Sequence, residues 1–218
     1  MGIQTIIDLA ETIEFNRRKI LGIQYSRSEI PRVSETPTRN AWKLNVTVPA
    51  MSDYKTVRGL IESIDYLDRR YPETISFSNN PNLSYMLAYQ GDANLTALSA
   101  ATVQSWTGTT LVLGNLPSIS NSAYLFKQGD FIQVNGLPYP TTVTQDVYRG
   151  SSSTVTLTTH RPNFMGTATN NQTIVVGNAV EFKVFCNNMP TYKFNPGGST
   201  ALITWSGAFQ LYEWTGDV

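Results

Sequence analysis

Few side chains in this sequence can make or break bonds. His160 is the single histidine and Cys186 the single cysteine. Together they could in principle form a base–nucleophile dyad. Cys186, however, follows Val184 and Phe185 in an apolar run, where a buried inert thiol is expected. His160 lies in Thr-Thr-His-Arg-Pro at the end of an alternating stretch and reads as a strand-end surface residue. One thiol excludes an internal disulfide framework and zinc sites of the Cys₄ or Cys₂His₂ kind, and one imidazole excludes multi-histidine metal clusters.

Hydrolysis of a glycoside needs only two facing carboxylates, so each acid is a candidate. Asp65 and Asp68 share a helix face but adjoin Arg69 and Arg70, as a charged solvent face would. Asp130, in Gly-Asp-Phe, is the most pointed acid of the β-rich region and reads as a turn residue bonded to nearby backbone. No acidic stretch has the alternation of a calcium loop. Phosphate-binding glycine loops are absent, and Gly150-Ser151-Ser152-Ser153 lacks the closing glycine of a nucleophile elbow. Trp106, Tyr139, Tyr148, Trp205 and Trp214 could stack on sugars in a lectin-like groove, although scattered aromatics in a β protein more often serve core or subunit contacts. No catalytic residue, no cofactor-binding residue and no metal ligand is expected.

Composition points away from nucleic-acid clamping. The 218 residues hold 16 Lys+Arg against 16 Asp+Glu, so broad phosphate neutralisation is not available. Charged residues make up 15% of the chain, below the roughly 25% usual for soluble domains. Thr, Ser and Asn take their place, as expected of a surface that neighbours cover. No run approaches the roughly 18 apolar residues of a membrane span. Residues 1–13 have no basic region and carry Asp8 and Glu11, so no signal peptide is expected. Ile6 breaks the myristoylation pattern. The Asn-x-Ser/Thr triplets at Asn45, Asn82, Asn94 and Asn171 would need secretion to matter, and synthesis in the cytosol is expected.

The elements that would position these residues are mostly strands. Residues 11–15 and 19–25 are rich in Ile and aromatics, and 26–40 reads as a long loop or a loosely held hairpin tip. Trp42, Leu44, Val46 and Val48 alternate with Lys43, Asn45 and Thr47 until Pro49, the clearest half-buried strand. One helix follows at 53–70, capped by Ser52 with Asp53 in its first turn. Its apolar stripe is Tyr54, Val57, Leu60, Ile61, Ile64 and Leu67, and Pro72 stops it. Short strands are expected at 74–77, 84–89, 109–113, 131–134, 141–148, 154–159, 180–186 and 202–214. Turns are expected at Asn135-Gly136 and, as a hairpin, at Arg149-Gly150-Ser151.

The order of these features resembles the distal tail and baseplate structural proteins of tailed bacteriophages, the tube-type group that starts or continues the tail tube. The resemblance rests on the Trp42-anchored strand followed by Pro49 and the helix, on Phe126-Lys127-Gln128-Gly129-Asp130-Phe131, on Val143-Thr144-Gln145-Asp146-Val147, and on the closing strand 207–214. His160-Arg161-Pro162 departs from the usual pattern. It implies a mainly β (α+β) fold: a tail-tube-like β-sandwich or rolled sheet (1–92 plus 165–218) with one flanking helix, and an inserted small β-barrel-like domain at 93–164. It also implies a homo-oligomeric, six-fold ring in the virion, joined edge to edge and heterologously. The implied partners are the adjacent tail tube, hub and baseplate proteins. Segment 26–40 would reach a neighbouring ring, and DNA would pass through the lumen without specific binding. The alternatives are a receptor-facing carbohydrate-binding module of the tail or a cell-wall hydrolase.

Overall fold

The computed structural model describes residues 2–17, 21–25, 31–35, 40–164, 170–197 and 200–216, with the backbone alone at 21–25, 31–35, 68 and 200. Alternation at 42–48 produces the strand it calls for. In β4 (Trp42–Thr47), Trp42, Leu44 and Val46 are buried while Lys43 and Asn45 stay partly in solvent. β4 belongs to a five-stranded antiparallel sheet ordered β1-β4-β18-β15-β6. Its other members are β1 (Thr12–Arg17), β6 (Glu73–Ser76), β15 (Glu181–Asn188) and β18 (Phe209–Glu213). β15 and β18 repeat the alternation, so Phe182, Val184, Phe209 and Leu211 join Leu44 and Val46 on one buried face.

A short helix covers that face. α1 (Ile3–Asp8) buries Ile3, Ile6 and Ile7. Its β-branched residues favour strand, but burying three isoleucines outweighs the weak local preference. The main helix is α2 (Tyr54–Ser63), continued by a π-helical turn at Ile64–Asp68. Its N-cap is Asp53, whose side chain accepts the Lys55 amide, and not Ser52. Ser52 is drawn instead into β5 (Met51–Asp53), which pairs with β17 (Thr200–Trp205). β16 (Tyr192–Gly197) completes that sheet, and Val57 and Ile61 of α2 pack on its Ile203. The single strand expected at 202–214 is therefore two strands in different sheets, parted by a bend at Ser206 and Gly207. The strand expected at 84–89 is a 3₁₀ turn, Ser84–Leu87. Leu83 and Leu87, four apart, both reach the core while Tyr85 stays exposed, which a strand could not arrange.

Of segment 26–40, residues 31–35 form a strand. β2 (Leu21–Tyr25) pairs with β3 (Pro31–Glu35) as a separate two-stranded ladder, and residues 26–30 and 36–39 lie outside the described residues.

The remaining strands surround a second core. One three-stranded sheet is β13-β8-β7, from β7 (Thr102–Thr107), β8 (Thr110–Gly114) and β13 (Val155–Thr158). Another is β11-β10-β14, from β10 (Phe131–Val134), β11 (Thr141–Thr142) and β14 (Ile174–Val176). Isolated bridges Thr102↔Thr173 and Val143↔Thr159 join the two sheets at both ends, which closes them into a small barrel. β9 (Tyr124–Phe126) and β12 (Val147–Tyr148) form a ribbon beside it. The stretches 141–148 and 154–159 pair antiparallel only at Val143↔Thr159 and Thr144–Thr158; nearer the turn β12 pairs with β9 and β13 with β8, so Arg149-Gly150-Ser151 does not close a tight hairpin. The second core reaches Ile174 and Val176, past the expected limit at 164, because β14 is the strand that links β10 round to β7.

The chain thus crosses between the cores near 88 and near 177. At Gly177 (φ 72°) an added Cβ would stand 3.1 Å from the Tyr89 nitrogen, so the two crossings touch where only glycine fits. The architecture is mainly β.

Candidate functional site

The joint between the sheet and the barrel is built on residues far apart in sequence. Arg161, just past β13, and Glu213, the last residue of β18, form a bidentate ion pair. Nη1 meets Oε2 at 2.6 Å and Nη2 meets Oε1 at 2.8 Å, with both side chains at most 1% exposed. Glu213 Oε2 also accepts the Trp42 amide, and Arg161 Nη2 also donates to the Pro140 carbonyl. That carbonyl accepts the Trp42 indole N–H as well. Next to it, Arg17 of β1 donates to Thr142 Oγ1, and the Lys183 amide of β15 donates to Pro138 O. Buried charges are tolerable only when partnered in this way. The segment 138–142 is gripped by three strands of the sheet, and Phe131 of the barrel packs into the aromatic group of Phe15, Trp42 and Phe182.

His160 belongs to this joint, half-buried and engaged rather than a free strand-end surface residue. Its Nδ1 accepts the Thr142 amide at 2.9 Å, and its ring lies 5.0 Å from that of Trp42. Cys186 is buried on β15 opposite Leu211, within the first core. Each residue of the formal dyad therefore occupies a structural position.

Asp130 explains the Phe-Lys-Gln-Gly-Asp-Phe stretch physically. Residues 127–130 form a turn closed by the Asp130 amide on Lys127 O, with Gly129 at φ 98° where a side chain would be strained. The Asp130 carboxylate folds back on both sides: Oδ2 accepts the Lys127 amide and Oδ1 the Gln90 amide. Burial pushes its carboxyl above the usual Asp range, against the two amides that pull it down. Beside it, burial pushes Tyr89 up to about 12 while its hydroxyl donates to Leu125 O. Both groups serve backbone, as the turn reading of Asp130 expects.

Of the other acids, Asp65 pairs with Arg69 at 2.9 Å on the surface, and the Asp68 side chain lies outside the described residues. The aromatics singled out do not converge. Trp106 packs on the second core, Tyr139 lies edge-on to Phe164, Trp205 edge-on to Phe209 and Trp214 edge-on to Phe185. Tyr148 alone of the five is more than half exposed. Among the described residues no group of three or more His, Cys, Asp or Glu could hold a metal ion, and no helix is long and apolar enough to cross a membrane. The surface depressions are shallow, about 260 Å³ beside Trp214 and about 310 Å³ beside Trp205.

The two edges of the five-stranded sheet differ, and sequence reading gave no sign of it. At β6 the Gln4 side chain imitates a strand residue: Nε2 donates to Ser76 O and Oε1 accepts the Ser76 amide, each at 2.9 Å. The Ile3 amide is held by Glu73 Oε2, which keeps α1 alongside. At the far side, β1 has β4 as its only strand partner among the described residues. Among the described residues, then, one edge is clasped at Ser76 by a side chain and the other has no strand beside it. No protein-family model matches the chain, and no curated protein matches it.

Proposed function

We propose that the chain is a structural component of a tailed-bacteriophage tail tip or baseplate, a tube-type protein that assembles into a ring and starts or continues the tail tube. The observation that carries this reading is the pair of unlike edges. Ring closure by a heterologous contact needs two different patches on each subunit, and edge-to-edge addition needs an unpaired strand. Among the described residues β1 lacks a second strand partner, while the Gln4 clasp opposes simple continuation through β6. The β2–β3 ladder belongs to neither the five-stranded sheet nor the barrel sheets, and in this reading segment 26–40 is the part that reaches a neighbouring ring. A net charge of zero suits a lumen through which DNA must slide without being held. The role is assembly and not catalysis: both oxygens of the buried Asp130 are engaged by backbone amides, which favours a structural part for it.

Cryo-electron microscopy of particles carrying the chain tests the reading. The expected result is a six-fold annulus at the tail tip, with β1 of each subunit at strand spacing, about 4.8 Å, from its neighbour. A chain standing singly at the apex of a spike, or absent from the particles, overturns it.

A further inference from the structure

The ribbon beside the barrel presents an aromatic side chain that neither core uses. We propose that the outer face of the Tyr148 ring is a stacking platform for the pyranose ring of an uncharged saccharide, with the Asp146 carboxylate accepting sugar hydroxyls at its rim. This does not rest on the assembly reading.

Three observations carry it. The β12–β9 register slips between Val147 and Tyr148: Val147 faces Phe126, and the very next residue faces Tyr124. Such an irregularity re-aims a side chain, and here it lays Tyr148 on Tyr124, with ring centroids 4.6 Å apart and planes 29° from parallel. The platform is also held rigid. The Tyr148 hydroxyl donates to the Tyr124 hydroxyl at 3.1 Å, Lys127 Nζ sits 4.8 Å from the Tyr124 ring, and the Tyr124 amide is fixed by Asp92 Oδ2. An exposed aromatic ordinarily spends rotamer freedom on binding; this one has already spent it. Yet Tyr148 remains 51% exposed, and since Tyr124 covers one face, the exposed area is the other.

The rim chooses the ligand. Asp146 lies two residues before Tyr148, near enough for its charge to act on the Tyr148 hydroxyl. It is oriented by accepting the Gln128 amide through Oδ1, which leaves its second oxygen as an acceptor for hydroxyls. A pyranose offers what this arrangement takes: a flat, weakly positive C–H face for the negative face of a ring, with hydroxyl donors at its edge. Asp146 opposes a phosphate backbone, while the nearby cations are already engaged, Lys127 over the Tyr124 ring and Arg149 on the carbonyls of Pro117, Gly150 and Ser152. Exposed Ser and Asn at 120–122 and 151–153, joined here by the Gly150 amide on Asn121 O, oppose an apolar protein partner.

The test uses the full chain and saturation-transfer NMR with methyl glucoside, methyl galactoside, methyl mannoside and N-acetylglucosamine, and oligothymidylate as a further arm. Expected is saturable millimolar binding of at least one sugar, with transfer strongest to the protons of one ring face. Tyr148→Ala should weaken it at least about tenfold, Tyr148→Phe at most about threefold, and Asp146→Asn several-fold. Near-UV circular dichroism of each variant checks that the fold is kept. No saturable sugar binding up to about 50 mM overturns the proposal, as does undiminished binding by folded Tyr148→Ala, or oligothymidylate binding at Tyr148 in place of sugar.

Discussion

The five-stranded sheet and the barrel bury the same kinds of residue but are fixed by different means. The sheet's strands run from four to eight residues, and long alternation sets their register. The barrel's strands run from two to six residues, and β10, β11, β13 and β14 have four or fewer, too few for alternation alone to fix their register. There, side chains bonded to backbone hold the turns: Asp92 on Tyr124, Asp130 on Gln90 and Lys127, Asp146 on Gln128, and Arg149 on the carbonyls of Pro117, Gly150 and Ser152. Short strands, then, move the work of specifying structure from pattern to turn chemistry.

The two regions meet at Arg161 and Glu213, and breaking that pair should have the largest effect. Arg161→Met leaves the Glu213 carboxylate buried with only the Trp42 amide for company, at a cost of about 3–5 kcal/mol. Urea unfolding monitored by tryptophan fluorescence should show a lower midpoint and, if the joint couples the regions, two transitions where the parent has one. Arg161→Met with Glu213→Leu should cost less than the sum of the single changes, because no lone charge remains. Additive losses would mean that the pair does not act as a unit.

Within the barrel, Asp130→Asn keeps one acceptor but turns an amide donor toward the other backbone N–H, for a loss of about 1–3 kcal/mol. The pH dependence has a definite sign. Because burial raises the folded pKa, the folded state holds the proton more tightly than the unfolded chain. The contribution of Asp130 therefore falls as pH rises from the ordinary Asp value of 3.8 through the raised folded value, and is flat above it. Urea midpoints of parent minus variant should decline over that window. A difference that grows with pH would show that the two amides outweigh burial.

The same contrast decides what could be read from the sequence. β4 and α2 were legible because their patterns are long enough to be unambiguous: Trp42, Leu44 and Val46 at period two, Val57, Ile61 and Ile64 at three and four. The Gly129-Asp130 turn was legible from its chemistry. α1 was not, since Ile-Gln-Thr-Ile-Ile carries no helical preference until a core is there to receive it. The place of β14 was hidden because Ile174-Val175-Val176 reads the same in either region; closure of the barrel assigns it. His160 and the joint were out of reach for a plainer reason. Arg161 lies 52 residues from Glu213, and Trp42 lies 98 from Pro140, so no local signal connects them.

The sheet should respond to the loss of Gln4 in a way the barrel cannot. Gln4→Ala removes two bonds to Ser76 and leaves its N–H and C=O facing outward, for about 1–2 kcal/mol. The larger consequence is association, because β6 then becomes a second open edge. Light scattering of the variant should show concentration-dependent growth that the parent lacks at equal temperature. If both remain alike, the clasp is a stability device and does not guard the edge.

The smallest effect should have the opposite sign. Gly59 lies inside α2, where a methyl group would meet nothing within 4 Å. Alanine there restricts the unfolded chain and favours helix, so Gly59→Ala should stabilise by about 0.5–1 kcal/mol. α2 packs on the sheet side, through Val57 and Ile61 on Ile203, and shares no cluster with the barrel. Made in the Arg161→Met background, the change should therefore raise only the transition that reports Trp205 and leave the one that reports Trp106 in place. Movement of both would mean that the neck at Tyr89 and Gly177 couples the regions even without the ion pair.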